Sequence, residues 1–169
     1  MRSVSLESVL RAGRCLGLVL GIAACASNGA PATPTRTVCP DPDPGTLTWD
    51  NFGMQFMADY CTSCHSSTLS HSQRNGAPLY HDYDTLLGVL EIPDHIDQYA
   101  GSGPAATNTL MPPSRCPSVP GGSLDRDCPE PSVSQRANLS LWIACERNRP
   151  HTFVTSARVP GAFDTRLAR

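Results

Sequence analysis

Apolar side chains recur at helical spacing in several stretches of this chain, and long polar, proline-rich segments separate them. From Thr48 to Tyr60, Trp49, Phe52, Phe56 and Tyr60 fall on one stripe. Thr46 or Thr48 stands where a cap is needed, and Asp50 occupies the first turn, where the positive end of a helix favours an acid. This pattern predicts an amphipathic helix with an aromatic core face. Asp84 can cap a second helix running through Thr85 to Leu90; Pro93 then breaks the chain, and Asp94 can cap a short piece through Tyr99. A last helix starts at Ser132, with Gln135 three residues on in a capping-box pattern, and places Leu139, Trp142 and Ile143 on one face.

A different pattern opens the chain. Arg2, Arg11 and Arg14 precede an apolar run over residues 15–24 that is too short to span a bilayer, which reads as a signal-peptide core. Its end, Ile22-Ala23-Ala24-Cys25, resembles the lipobox of bacterial lipoproteins, in which the Cys thiol takes a lipid as a thioether and becomes the first mature residue. An ordinary signal peptide cut at Ala24 or Ala26 is the competing reading. Residues 1–24 are accordingly expected to be a signal peptide and 25–38 a lipid-anchored flexible tether, since residues 27–37 are rich in turn formers and lack an apolar period. Residues 39–149 are expected to form one folded domain and 150–169 a tail without assigned chemistry. No inner-membrane retention Asp follows Cys25, which by likeness to Gram-negative lipoproteins favours the outer membrane, with the domain facing the periplasm or cell surface.

Composition narrows the class. In 169 residues there are 16 Pro, 13 Gly and 8 Cys but only 6% aromatics, so the core is small and its connections long and irregular. All 13 basic residues are Arg, against 15 acids, and no nucleic-acid partner is expected from so weak a basic content. Eight Cys in an exported chain imply bridges or cofactor chemistry.

Cys61-Thr62-Ser63-Cys64-His65 is a C-x-x-C-H pentapeptide, the attachment sequence for c-type haem. Two thiols on about one helical turn can add to the two vinyl groups of one porphyrin edge, and the adjacent imidazole can ligate the iron. A C-x-x-C disulfide or redox pair followed by a chance His is the bland alternative. For the sixth iron ligand, Met111 is the leading candidate, because Pro112 and Pro113 stiffen the backbone behind it and a thioether raises the potential relative to a second imidazole. His71, His81, His95 and His151 are its rivals, with His95 second; Met54 and Met57 lie on the wrong side of the attachment site.

These residues resemble the class I cytochrome c domain of small monohaem lipoproteins. The likeness rests on Cys61 to Ser67, Arg74-Asn75-Gly76-Ala77-Pro78, Tyr83-Asp84-Thr85, Met111-Pro112-Pro113 and the Trp142-containing last helix, from about residue 39 to 146. It implies an all-α, cytochrome c-like fold of three to five helices around one covalent haem c, with long Pro/Gly-rich loops. It further implies that Tyr83 contacts the cofactor and that a backbone carbonyl near Gly76, with Pro78 preferred, accepts from the second ring nitrogen of His65. Leu86, Leu87, Ile96 and Tyr99 would wall the haem, and the first and last helices would cross. Members of that family commonly ring the haem edge with Lys, and this chain has none. A redox partner with a basic or mainly apolar face is therefore expected.

Four cysteines remain after Cys15, Cys25, Cys61 and Cys64. They allow three disulfide connectivities. Proximity favours Cys116 with Cys128, which leaves Cys39 with Cys145, a pair that the family's packing would bring together; a structural zinc site built from the four is the rival. The function expected is a membrane-anchored, non-enzymatic carrier of single electrons between redox partner proteins. A haem enzyme or sensor with an open distal iron site is the second reading, and a disulfide-stapled interaction lipoprotein without haem is the third.

Overall fold

The computed structural model describes residues 32–152. The expected leader, the expected lipidation site Cys25, the first part of the expected tether and residues 153–169 lie outside the described residues. Within them, α1 spans Met54–Tyr60, α2 Leu86–Glu91, α3 Pro93–Ala100 and α4 Val133–Glu146; β1, Arg115–Pro117, pairs antiparallel with β2, Leu124–Asp127. No described helix is long and apolar enough to cross a membrane.

The all-α, cytochrome c-like expectation is corrected by this element set. Short helices alternate with long irregular segments, and a two-stranded sheet occupies the stretch between Met111 and Ser132. The cause is compositional. Pro112, Pro113, Pro117, Pro120, Pro129 and Pro131 withhold amide donors and fix φ, which rules out a helix there. A Cys116–Cys128 disulfide closes the resulting hairpin.

Helix ends follow local chemistry. Thr48 caps a single wide, π-type turn, Trp49–Gly53, that leads into α1; its hydroxyl accepts from Asn51 N–H while the Asn51 side chain accepts from Thr48 N–H. The same reciprocal pair joins Ser132 and Gln135 at the start of α4. Thr85, not Asp84, caps α2 by accepting from Gly88 N–H at 3.1 Å. Asp84 is engaged elsewhere: it accepts from the hydroxyls of Ser66 and Ser67 and from the Ser67 amide. Pro93 opens α3 at its first position, where a missing amide hydrogen costs nothing.

The core lies where α4 meets the first helical segment. Trp142 is fully buried, with its indole 6.1 Å from the ring of Trp49 and edge-on to Phe52 at 6.0 Å. Gly53 makes this approach possible, since a Cβ there would stand 2.6 Å from Trp142 Cη2 and 2.8 Å from Cε2. Met57, Leu139 and Ile143 complete the seam, and Ile96 and Ala100 bring α3 against it. A disulfide between Cys39 and Cys145 fastens the segment preceding the first helical turn to the end of α4.

Residues 32–38, expected within a flexible tether, are docked as a strap. Thr35 is fully buried, and its amide and hydroxyl both donate to the Asp97 carboxylate of α3, at 2.9 and 2.7 Å. Ser140 Oγ donates to the same carboxylate at 2.6 Å, so one acid ties the strap, α3 and α4 together.

Candidate functional site

The C-x-x-C-H residues follow α1 directly. Cys61 N–H still donates to Met57 O at 2.9 Å, and His65 N–H donates back to Cys61 O at 2.9 Å, so residues 61–65 form one further helical turn. Cys61 and Cys64 are free thiols on that turn, whereas the other four described cysteines are paired. Burial pushes the Cys61 thiol up to about 12 and keeps it protonated.

His65 is held from two sides. Its ring stacks on Tyr83 at 4.6 Å between centroids and 17° between planes, and Tyr83 N–H donates to His65 O at 2.9 Å. The His65 Nδ1 hydrogen goes to the carbonyl of His81, at 3.2 Å. A carbonyl can only accept, so the proton sits on Nδ1 and the lone pair on Nε2. Burial drives the His65 pKa down to about 4 against the pull of that carbonyl, and the imidazole is neutral at ordinary pH.

Pro78, expected to accept from His65, has a different role. Its carbonyl accepts from Arg74 Nη2 at 2.8 Å, and His81 supplies the carbonyl for His65 instead. Arg74 organises this loop. The chain reverses after a short helical turn, His71–Arg74, through Asn75 and Gly76 at φ +52° and +89°, folding residues 77–82 back around the Arg74 guanidinium. That group donates to Ser66 O, Pro78 O and His81 O, each at 2.8 Å, and pairs with Asp82 at 2.7 Å. Arg74 thus holds both the Pro78 carbonyl and the His81 carbonyl that accepts from His65.

These elements enclose a cavity of about 380 Å³, within the size range of small-molecule and cofactor sites. Cys61, Cys64 and His65 lie on its wall, together with Tyr83, Ile96, Tyr99 and Met111. The lining is predominantly apolar. Met111 reaches it with a pinned backbone and a half-exposed side chain: its N–H donates to Tyr99 O at 2.9 Å and its C=O accepts from Arg136 Nη1 at 2.7 Å. His81 and His95 also line the cavity and meet edge to face at 5.0 Å, and His95 meets Tyr99 likewise at 4.4 Å. The hairpin closes another side, with Cys116 on the wall and Asn75 Nδ2 donating to Gly122 O at 3.1 Å.

The residues present fit a covalent haem. Two unpaired thiols, a neutral imidazole with a free lone pair and a thioether border one apolar cavity. Of the rival iron ligands, His81 and His95 border it as well, while His71 and His151 do not. A zinc site from Cys39, Cys116, Cys128 and Cys145 is excluded by their pairing into disulfides. Arg74 and Arg136 are the site residues that sequence reasoning left without a role; Arg74 fell inside a quoted motif, but an Arg carries no local sign of being buried. Comparison with family models, with curated proteins and with solved structures gives no match in any of the three, and the likeness to class I cytochromes c rests on the motif residues alone.

Proposed function

We propose that this protein is a c-type haem protein that carries single electrons outside the cytoplasm, tethered to a membrane through a lipidated Cys25. The observation that carries the reading is the convergence of Cys61, Cys64, His65 and Met111 on one apolar cavity. Cys61 and Cys64 would each add S–H across a vinyl C=C, sulfur to one carbon and hydrogen to the other, which balances without an oxidant. His65 would ligate iron through Nε2, its orientation set by the Nδ1 bond to His81 O and by the Tyr83 ring. Met111 would supply the thioether on a backbone held at both of its polar groups. When bound, the haem supplies a one-electron couple between ferric and ferrous iron. Ligands fixed in advance by hydrogen bonds and prolines let that couple turn over with little rearrangement, as a carrier requires. The partner is a redox protein with a basic or mainly apolar docking face, in keeping with a Lys-free, weakly acidic chain.

The test is expression of the full chain with a c-haem maturation system. Covalent haem in the mass of the mature protein, lost in C61S and C64S, together with a low-spin ferric spectrum carrying the far-red thioether band, supports the carrier. High-spin ferric haem in the parent protein points to an enzyme or sensor with an open iron site, and the absence of covalent haem rejects both. Mass spectrometry of the mature N-terminus tests Cys25; an unacylated terminus rejects the anchor.

A further inference from the structure

Arg136 is charged, fully enclosed by α4 and its neighbours, and forms no ion pair among the described residues. An enclosed cation without an acid is costly, so its remaining contacts have to hold it. They are three backbone carbonyls, all reached by Nη1: Ala100 O at 3.0 Å, Asn108 O at 2.9 Å and Met111 O at 2.7 Å. Ala100 ends α3, and Asn108 and Met111 lie at the far end of the loop that follows it. The loop is thereby gathered onto one nitrogen. A second hydrogen bond, Met111 N–H to Tyr99 O, fixes the other polar group of the same residue. Meanwhile Arg136 O accepts from Ser102 N–H at 3.1 Å, securing the near end of the loop to α4.

We propose that Arg136 is the positioning residue for Met111, holding the thioether at the cavity and placing a permanent positive charge behind it. This rests on the haem reading above and deepens it. The guanidinium does not touch iron or substrate; it acts through the Met111 carbonyl. Two consequences separate it from an ordinary structural contact. Held at its carbonyl, Met111 competes well against an external ligand for the iron. A fixed cation on that side also disfavours the more positive ferric state and raises the potential.

The experiment compares the haem-loaded parent with R136M, R136K and R136Q. Imidazole is titrated into each ferric protein while the far-red thioether band is followed, and the reduction potential is measured on the same samples. For R136M the imidazole midpoint is expected to fall by about tenfold or more, and the potential to drop. R136K, which keeps the charge and three donors, is expected to restore both most of the way. An unchanged midpoint and potential in R136M, with only thermal stability reduced, overturns the proposal. If R136M does not fold, R136Q decides: it keeps donors without charge, so a lowered potential supports the proposal and parent-like values on both readouts refute it. A parent protein with covalent haem but no thioether band removes the haem-carrier reading itself, an outcome distinct from failure of the Arg136 substitutions.

Discussion

Replacing Arg74 with Met tests how the loop behind His65 is held. Arg74 is 2% exposed and donates to three carbonyls and one carboxylate at 2.7–2.8 Å. A hydrogen bond to a charged group is worth about 1.5–3 kcal/mol net, so treating the four as independent would exceed the whole stability of many domains of this size. They share one guanidinium and are not independent, and the Asp82 side chain is 28% exposed, which screens the ion pair. Loss of one partner from a buried charged network costs about 3–5 kcal/mol, and that is the loss expected for R74M. Methionine fills much of the volume, so the cost reports lost charge-assisted hydrogen bonds rather than a void: Ser66 O keeps the Leu69 amide and His81 O keeps His65 Nδ1–H, while Pro78 O loses its Arg74 donor. D82N should cost about 1 kcal/mol, because only the screened ion pair is weakened. Urea unfolding followed by circular dichroism measures each, with an unchanged slope confirming that the same surface is exposed. An R74M protein within about 1 kcal/mol of the parent, or D82N costing more than R74M, would refute the argument.

Three further outcomes are expected. G53A gains up to about 1 kcal/mol of helix propensity but forces Trp142 to shift in a closed core, so the overpacking cost of about 1–3 kcal/mol wins and thermal unfolding comes earlier; an unchanged or higher Tm contradicts the Gly53–Trp142 packing. Removing the Cys39–Cys145 bridge, which spans 106 residues, should cost about 5 kcal/mol, against about 3 for Cys116–Cys128, which spans 12. Denaturation of C39S/C145S and C116S/C128S checks the order, and the reverse order would rule out loop entropy as the main term. For Asp84, burial works against ionisation, but hydrogen bonds from Ser67 and Ser66 outweigh it and hold the pKa below the usual carboxylate range. The unfolded chain then binds the proton first as pH falls, so the stability from Asp84 is full above about pH 4 and lost below it. In D84N that acid-side slope should be shallower when unfolding free energy is measured from pH 5 to 2, and an identical slope would contradict the assignment.

How much of this could be read in advance depended on how local the cause was. The Ser132–Gln135 cap is settled within one turn and the aromatic stripe from Trp49 to Tyr60 by contacts one turn apart, and both appear in the structure. The wide turn at Trp49–Gly53 was not anticipated, because a stripe at 3.6-residue spacing does not separate it from an α-turn. At α2 two adjacent residues could cap, and the choice of Thr85 was made by Ser66 and Ser67, which claim Asp84 from 17 or 18 residues away. The hairpin carries no strand signal in the sequence, because β1 and β2 are only three and four residues long and prolines flank them. Farther still from sequence, Thr35 finds Asp97 across 62 residues, so a Pro/Thr-rich stretch with the composition of a linker is fixed to the domain. The thiols and imidazole were legible because Cys61, Cys64 and His65 stand within five residues at the spacing that the proposed haem attachment would require. The groups that hold them, Arg74 and the His81 carbonyl, depend on how the loop closes.

The Thr35 clasp also sets a length. If Cys25 carries lipid, eight peptide steps separate it from Thr33, whose carbonyl is held by Asn108, and eight steps can span at most about 28 Å. Release of the strap as far as the Cys39 disulfide would lengthen that limit to about 49 Å. On the anchored reading proposed above, the clasp would act as a short mooring: it would keep the cavity within a thin layer above the membrane, where a partner anchored in the same surface would meet it by sliding in two dimensions rather than by searching a volume.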